Sequence, residues 1–165
     1  MIFDKQAHNS NFYNILLSLS RSIFFYKKVN LPDNFETRIV LMFIHFSILM
    51  IIFKKKGNKF EQKIYDSLFA NIENNLRELG FGDVTVNKKM KDFNKLLYDI
   101  LLKIELKKQS RFTISHDLIS SYFIDLKDIK SNKYQLLEDY FSKFYDFCFE
   151  KPLNSVVEDA INFKY

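Results

Sequence analysis

The sequence predicts an all-α fold, a single domain over residues 1–165 in which about six helices pack around a buried central helix at residues 33–56. Three observations carry this. Ile39 to Phe53 reads IVLMFIHFSILMIIF, with His45 and Ser47 its only polar side chains. A helix apolar on every side must be enclosed, because no face of it meets water without cost. Only three glycines and two prolines punctuate 165 residues, which leaves few places to break an element. Strict alternation of apolar and polar residues is absent, whereas spacings of three and four recur.

Length argues for a core helix over a membrane span. The 15 residues of this stretch at about 1.5 Å each cover roughly 22 Å, short of the about 30 Å of hydrocarbon a span needs. Arg38 and the run Lys54 to Lys56 close both ends with charge. A re-entrant, membrane-dipping segment is the alternative.

Taken in order, the first helix is expected over Asn11 to Lys28, capped by Ser10, with Phe12, Ile15, Leu16, Leu19, Ile23 and Tyr26 inward. Leu31-Pro32-Asp33 makes a turn, since the residue before proline avoids the α region, and Asp33 with Glu36 forms a capping box for the central helix. That helix should end at Lys54 to Lys56 and Gly57, where cations suit the negative helix end and glycine takes the left-handed conformation. Asn58 with Glu61 caps a third helix, whose stripe is Phe60, Ile64, Leu68, Ile72, Leu76 and Leu79, flanked by Tyr65 and Phe69. Gly80 stops it.

After the loop Phe81 to Thr85, Asn87 is expected to cap a fourth helix with Val86, Met90, Phe93, Leu97, Ile100 or Leu101, and Ile104 inward. Lys107 to Arg111 is a polar break, and Thr113 to Phe123 a short helix. Ser131 or Asn132 caps the last long helix, which buries Leu137, Tyr140, Phe141, Phe144 and Cys148 and ends at Pro152. Residues 153 to 165 add a final turn and an extended tail.

Net charge is +5 but uneven: residues 1–111 hold 19 Lys and Arg against 11 Asp and Glu, and residues 112–165 hold 6 against 9. A basic N-terminal two thirds suits an anionic partner such as phospholipid headgroups or RNA, or it is simply a solvated surface. A single cysteine excludes a disulfide framework. The opening MIFDKQAHNS has no apolar run of signal-peptide length.

No catalytic constellation, metal site or cofactor is expected. His8, His45 and His116 fall on separate elements without ligand spacing. His45, flanked by apolar residues, reads as a neutral core histidine bonded to a polar neighbour. Cys148 lies on an aromatic face and reads as a packed, unreactive thiol. Gly80-Phe81-Gly82 is too short for a phosphate loop and follows a helix instead of a strand.

Leu76-Arg77-Glu78-Leu79-Gly80-Phe81-Gly82-Asp83, continued by Val86, Lys88, Lys89, Met90 and Lys91, resembles the hallmark of the ubiquinol-cytochrome c chaperone family, the assembly factors of respiratory complex III. Further matches fall in order at Arg21, Phe25-Tyr26, Leu31-Pro32-Asp33, Phe35, Arg38, His45, Asp66 and Phe69, so the resemblance covers about residues 12 to 98. Two positions depart from it: Asp99 stands where a glycine is usual, and Leu118 to Phe123 lacks an expected Arg-Asn pair. Physically, Gly80 and Gly82 permit a reversal, Asp83 can accept backbone N–H bonds, and Arg77 can pair with Glu78 or Asp83. Arg38, His45, Gly80 and Gly82 are expected to be structural. Arg77, Glu78, Asp83, Lys88, Lys89 and Lys91 are candidate partner-binding residues, with Lys88, Lys89, Lys91 and Lys95 a basic face on the fourth helix, either docking or solvated.

The resemblance implies a non-enzymatic chaperone that shelters apolar segments of newly made cytochrome b, or of another membrane-protein client, against an exposed apolar surface. Its basic face would meet an anionic membrane surface or the ribosome, and no DNA. The expected setting is bacterial and cytoplasmic, peripheral at the inner membrane, or the mitochondrial matrix if the source is eukaryotic. The rivals are a peripheral lipid-binding module, separable by salt against detergent extraction, and an RNA-binding adaptor whose affinity would fall steeply with salt.

Overall fold

The computed structural model describes residues 2–105 and 112–165, and these form seven α-helices and no strand. In order they are α1 (Ile2–Ser20), α2 (Phe35–Lys55), α3 (Gln62–Glu78), α4 (Asp83–Glu105), α5 (His116–Tyr122), α6 (Asn132–Phe149) and α7 (Val156–Asp159). A π-turn at Phe24–Lys28 and 3-10 turns at Ile124–Leu126 and Ala160–Asn162 complete the described elements. The expected polar break at Lys107 to Arg111 lies outside the described residues.

The central helix behaves as its composition requires. Fourteen of the 21 residues of α2 are buried, His45 and Ser47 among them, and α1, α4 and α6 pack around it. At 21 residues α2 is long and apolar enough to cross a membrane, which corrects the argument from length. Burial decides instead, because 78% of its most apolar stretch is enclosed by the fold. Phenylalanines knit it to its neighbours: Phe46 meets Phe12 of α1 at 5.3 Å, and Phe43 stacks on Phe69 of α3 at 5.6 Å.

Several helix ends differ from expectation for local reasons. Ser10 is interior to α1, which runs from Ile2, no glycine or proline being present to stop it. The helix ends early at Ser20, where hydroxyls compete for the backbone: Ser20 Oγ donates to the Leu17 carbonyl, and Tyr26 reaches back 2.6 Å to donate to the Ser20 carbonyl. The chain then tightens into the π-turn, so Ile23, expected to point inward, is 73% exposed. Asn34, not Asp33, caps α2 by accepting the Thr37 N–H at 2.9 Å, and Asp33 pairs instead with Arg38.

The expected Asn58–Glu61 box also fails. Gly57 takes φ +75°, and Asn58 donates its N–H to Phe53 in the terminal motif of α2, so α3 begins at Gln62 with no side-chain cap. α6 starts as read, capped by Ser131, whereas α5 begins at His116 and not at Thr113, because Ser115 is extended and caps it by accepting the Leu118 N–H. The inward residues of α6 are buried as expected, and burial pushes the Cys148 thiol up to about 12 despite the opposing pull of Lys151, a nearby cation the sequence did not suggest. The tail is held: Phe163 packs on Phe144 and Tyr165 donates to Asp139 at 2.8 Å.

Candidate functional site

The expected site residues separate into an interior pair and a surface corner. His45 is fully enclosed. Its Nδ1–H donates to the Leu41 carbonyl at 2.6 Å, and Tyr140 of α6 donates its hydroxyl to Nε2 at 3.0 Å. Burial lowers the imidazole pKa from 6.5 to about 4, the Leu41 bond opposing only in part, so the ring is neutral with both nitrogens satisfied. It is a core residue. Arg38, in the second turn of α2, donates to Asp33 at 2.6 Å and lies apart from the corner.

The corner joins α3 to α4. Gly80 adopts φ +94°, and its N–H donates to Arg77 while that of Phe81 donates to Leu76, closing the last turn of α3. Gly82 has no such backbone demand: its carbonyl accepts the Val86 N–H at 2.9 Å, and a Cβ there would touch nothing. α4 therefore starts at once, at Asp83. Asp83 to Thr85 are helical, not loop, and Asn87 is an exposed helix residue, not a cap.

Arg77 locks this reversal. Its guanidinium donates to Asp83 across the corner and to Glu73 one turn back at 3.0 Å, and these bonds, Asp83 first, raise its hold on its proton. Asp83 thus accepts a side chain and not the backbone N–H groups expected of it, and Glu78 stays exposed beside the pair. An acid at the start of α4 and a cation at the end of α3 also suit the two helix dipoles.

The lysines divide. Lys88, Lys91 and Lys95 are exposed on the outer side of α4, while Lys89 turns back over the Phe81 ring at 5.0 Å. Sequence reasoning missed what accompanies them. Leu79, expected in the core, is 58% exposed because α3 ends beneath it, and Val84 is 85% exposed. Val84, Lys88, Lys91, Lys95, Tyr98 and Leu102 repeat at steps of four and three, a second stripe opposite the buried one, cationic in the middle and apolar at both ends. The signal lay in the sequence, masked by the stronger inward stripe of the same helix. Asp99, on the flank of this stripe, accepts from Lys103 at 2.6 Å and from Tyr122, tying α4 to α5 where a glycine could not.

Comparison with curated proteins and with solved structures finds no match. The family model described as ubiquinol-cytochrome C chaperone matches residues 27–116. That range runs from the π-turn through the enclosed α2 and the whole α3–α4 corner to the start of α5. It takes in Arg38, His45, the Gly80 turn and the outer lysines of α4, and covers more than half of the 165 residues, so the chain belongs to the ubiquinol-cytochrome C chaperone family.

Proposed function

We propose that the protein is a non-enzymatic assembly chaperone for respiratory complex III that holds apolar segments of newly made cytochrome b. The family match over residues 27–116 carries this reading. A groove of about 690 Å³ between the start of α2, α4 and α5 supports it: Val40, Phe93, Phe123 and Leu126 line its floor and Ile124 stands exposed at its edge. Such a concave apolar surface suits a greasy segment awaiting partners. The outer stripe of α4, with lysines between Val84 and Leu102, is the face that meets an anionic surface, at a membrane or a ribosome. The working place is the cytoplasmic side of a bacterial inner membrane.

Affinity capture of the full chain from its native organism tests the client. Cytochrome b is expected to co-purify, and loss of the protein is expected to lower cytochrome b and assembled complex III together. Normal complex III in cells lacking the protein would overturn the proposal.

A further inference from the structure

We propose that the cleft beside the π-turn is a binding site for the oxyanion of a phosphoester. The cleft is about 420 Å³ in volume and is lined by Arg21, Ile23, Tyr26, Lys27, Asp33 and Arg38. Three cations therefore share one opening with a single carboxylate. Crowding like charges is unfavourable unless an anion relieves it, and the protein supplies only part of that relief. Asp33 accepts from one nitrogen of Arg38, Nη2, at 2.6 Å. The Nε of the same guanidinium is shut off from solvent and has no hydrogen-bond partner. Neither Arg21 nor Lys27 has an acidic partner among the described residues.

Asp33 and the Tyr26 hydroxyl both engage the Arg38 fork and its Nε is closed off, so the donors left for a second oxyanion are on its Nη nitrogens; planar guanidinium groups bind phosphate through such donors. The backbone prepares this arrangement. In the π-turn the Val29 N–H donates to Phe24 at 3.2 Å, five residues back, and this wide turn carries both Tyr26 and Lys27 into the lining. Tyr26 is pinned there by its bond to the Ser20 carbonyl, so it forms a fixed wall. The cleft is larger than a bare phosphate, and Ile23, 73% exposed, offers an apolar surface to whatever the phosphate is esterified to. The fit is to an organic phosphate, either a soluble phosphoester or a phospholipid headgroup. Client holding plays no part in this argument, so either proposal can fail alone.

The test titrates the full chain with sn-glycerol 3-phosphate and with inorganic phosphate, following backbone amides by NMR, and measures sedimentation with phosphatidylglycerol against phosphatidylcholine vesicles. Saturable shifts over the backbone amides of Arg21 to Lys28 are expected. Arg21→Gln with Lys27→Gln, both exposed positions, is expected to weaken binding about tenfold at an unchanged thermal midpoint, in keeping with the loss of charge-assisted bonds. Asp33→Asn removes the internal competitor and is expected to tighten binding. Response to the soluble esters alone assigns a free phosphoester, and selective sedimentation with phosphatidylglycerol that the double variant loses assigns a headgroup; both uphold the site. No saturable response to any probe, a double variant that binds like the parent, or weaker binding by Asp33→Asn would overturn it.

Discussion

His45 and the Gly80 corner both set polar residues against an apolar pattern, and they are built on opposite terms. Around His45 every polar atom of the ring is paired, Phe141 and Phe144 stand edge-on at 5.2 and 4.8 Å, and water is excluded. At the corner the charges sit in water, and only Gly80 is tied to its place by the backbone. Enclosure makes a polar residue costly to change whatever its role, whereas exposure leaves its identity free for a partner to select. Stability and binding should accordingly separate along this line.

The largest effect is expected in the enclosed region. Leu68→Ala or Ile72→Ala, each removing a side chain buried between α3 and the core, should cost about 2 to 5 kcal/mol, read as a lowered denaturation midpoint. Unchanged midpoints would mean that the α3 stripe faces water and that the contrast is misplaced.

A sharper trial uses pH. Because the folded pKa of His45 lies at about 4, below its ordinary 6.5, the unfolded chain binds more protons between those values. The histidine's contribution is then complete above pH 6.5 and is lost as pH falls toward 4, by about 3 kcal/mol in all. At neutral pH His45→Leu should cost about 1 to 3 kcal/mol, since it strands the Tyr140 hydroxyl. The gap between the two proteins should close as the solution is acidified. Parallel stability curves from pH 7 to 4.5 would show that the imidazole is not neutral in the fold.

Within the corner the two glycines divide the same way on a smaller scale. Gly80→Ala forces an alanine into φ +94° and should cost about 1 kcal/mol, while Gly82→Ala, with open space and no positive φ, should be close to neutral. Equal costs would remove the backbone explanation of the turn. The smallest stability change is expected from Lys88→Glu, Lys91→Glu and Lys95→Glu together: circular dichroism and midpoint should hold while sedimentation with anionic vesicles or ribosomes is lost across a salt titration. A triple variant that sediments like the parent would reduce the outer stripe to a solvated surface.

The all-helical class and the enclosed helix were legible because apolar periodicity reports burial directly, and Leu68, Ile72, Val86 and Leu97 are buried as that pattern requires. Helix starts were less so. Asp33 and Asn34, or Asn58 and Glu61, are equally able to cap by type, and only the three-dimensional competition for Arg38 and for the Phe53 carbonyl chooses among them. At the candidate site the glycine corner and the Arg77–Asp83 pair were readable. The apolar ends of the α4 stripe were not, because a second, weaker period on one helix is hidden by the first. The cleft at Arg21, Lys27 and Arg38 was equally hidden, since it depends on where the π-turn directs the chain.

Lys56 bears on how the protein's charge should be counted. Its ammonium donates to the carbonyls of Phe149 at 2.5 Å and Lys151 at 2.8 Å and lies over the Phe149 ring, while Lys55 covers Tyr145. The cation that ends α2 is thereby consumed in neutralising the end of α6, and the basic run beside it is drawn toward aromatic faces. In a lysine-footprinting experiment Lys56 should label slowly with an amine-reactive reagent while Lys88, Lys91 and Lys95 label fast. A partner that reads net charge would meet fewer free ammonium groups on that side than the sequence displays, and acetylation of Lys56 would loosen a helix joint without touching any docking face.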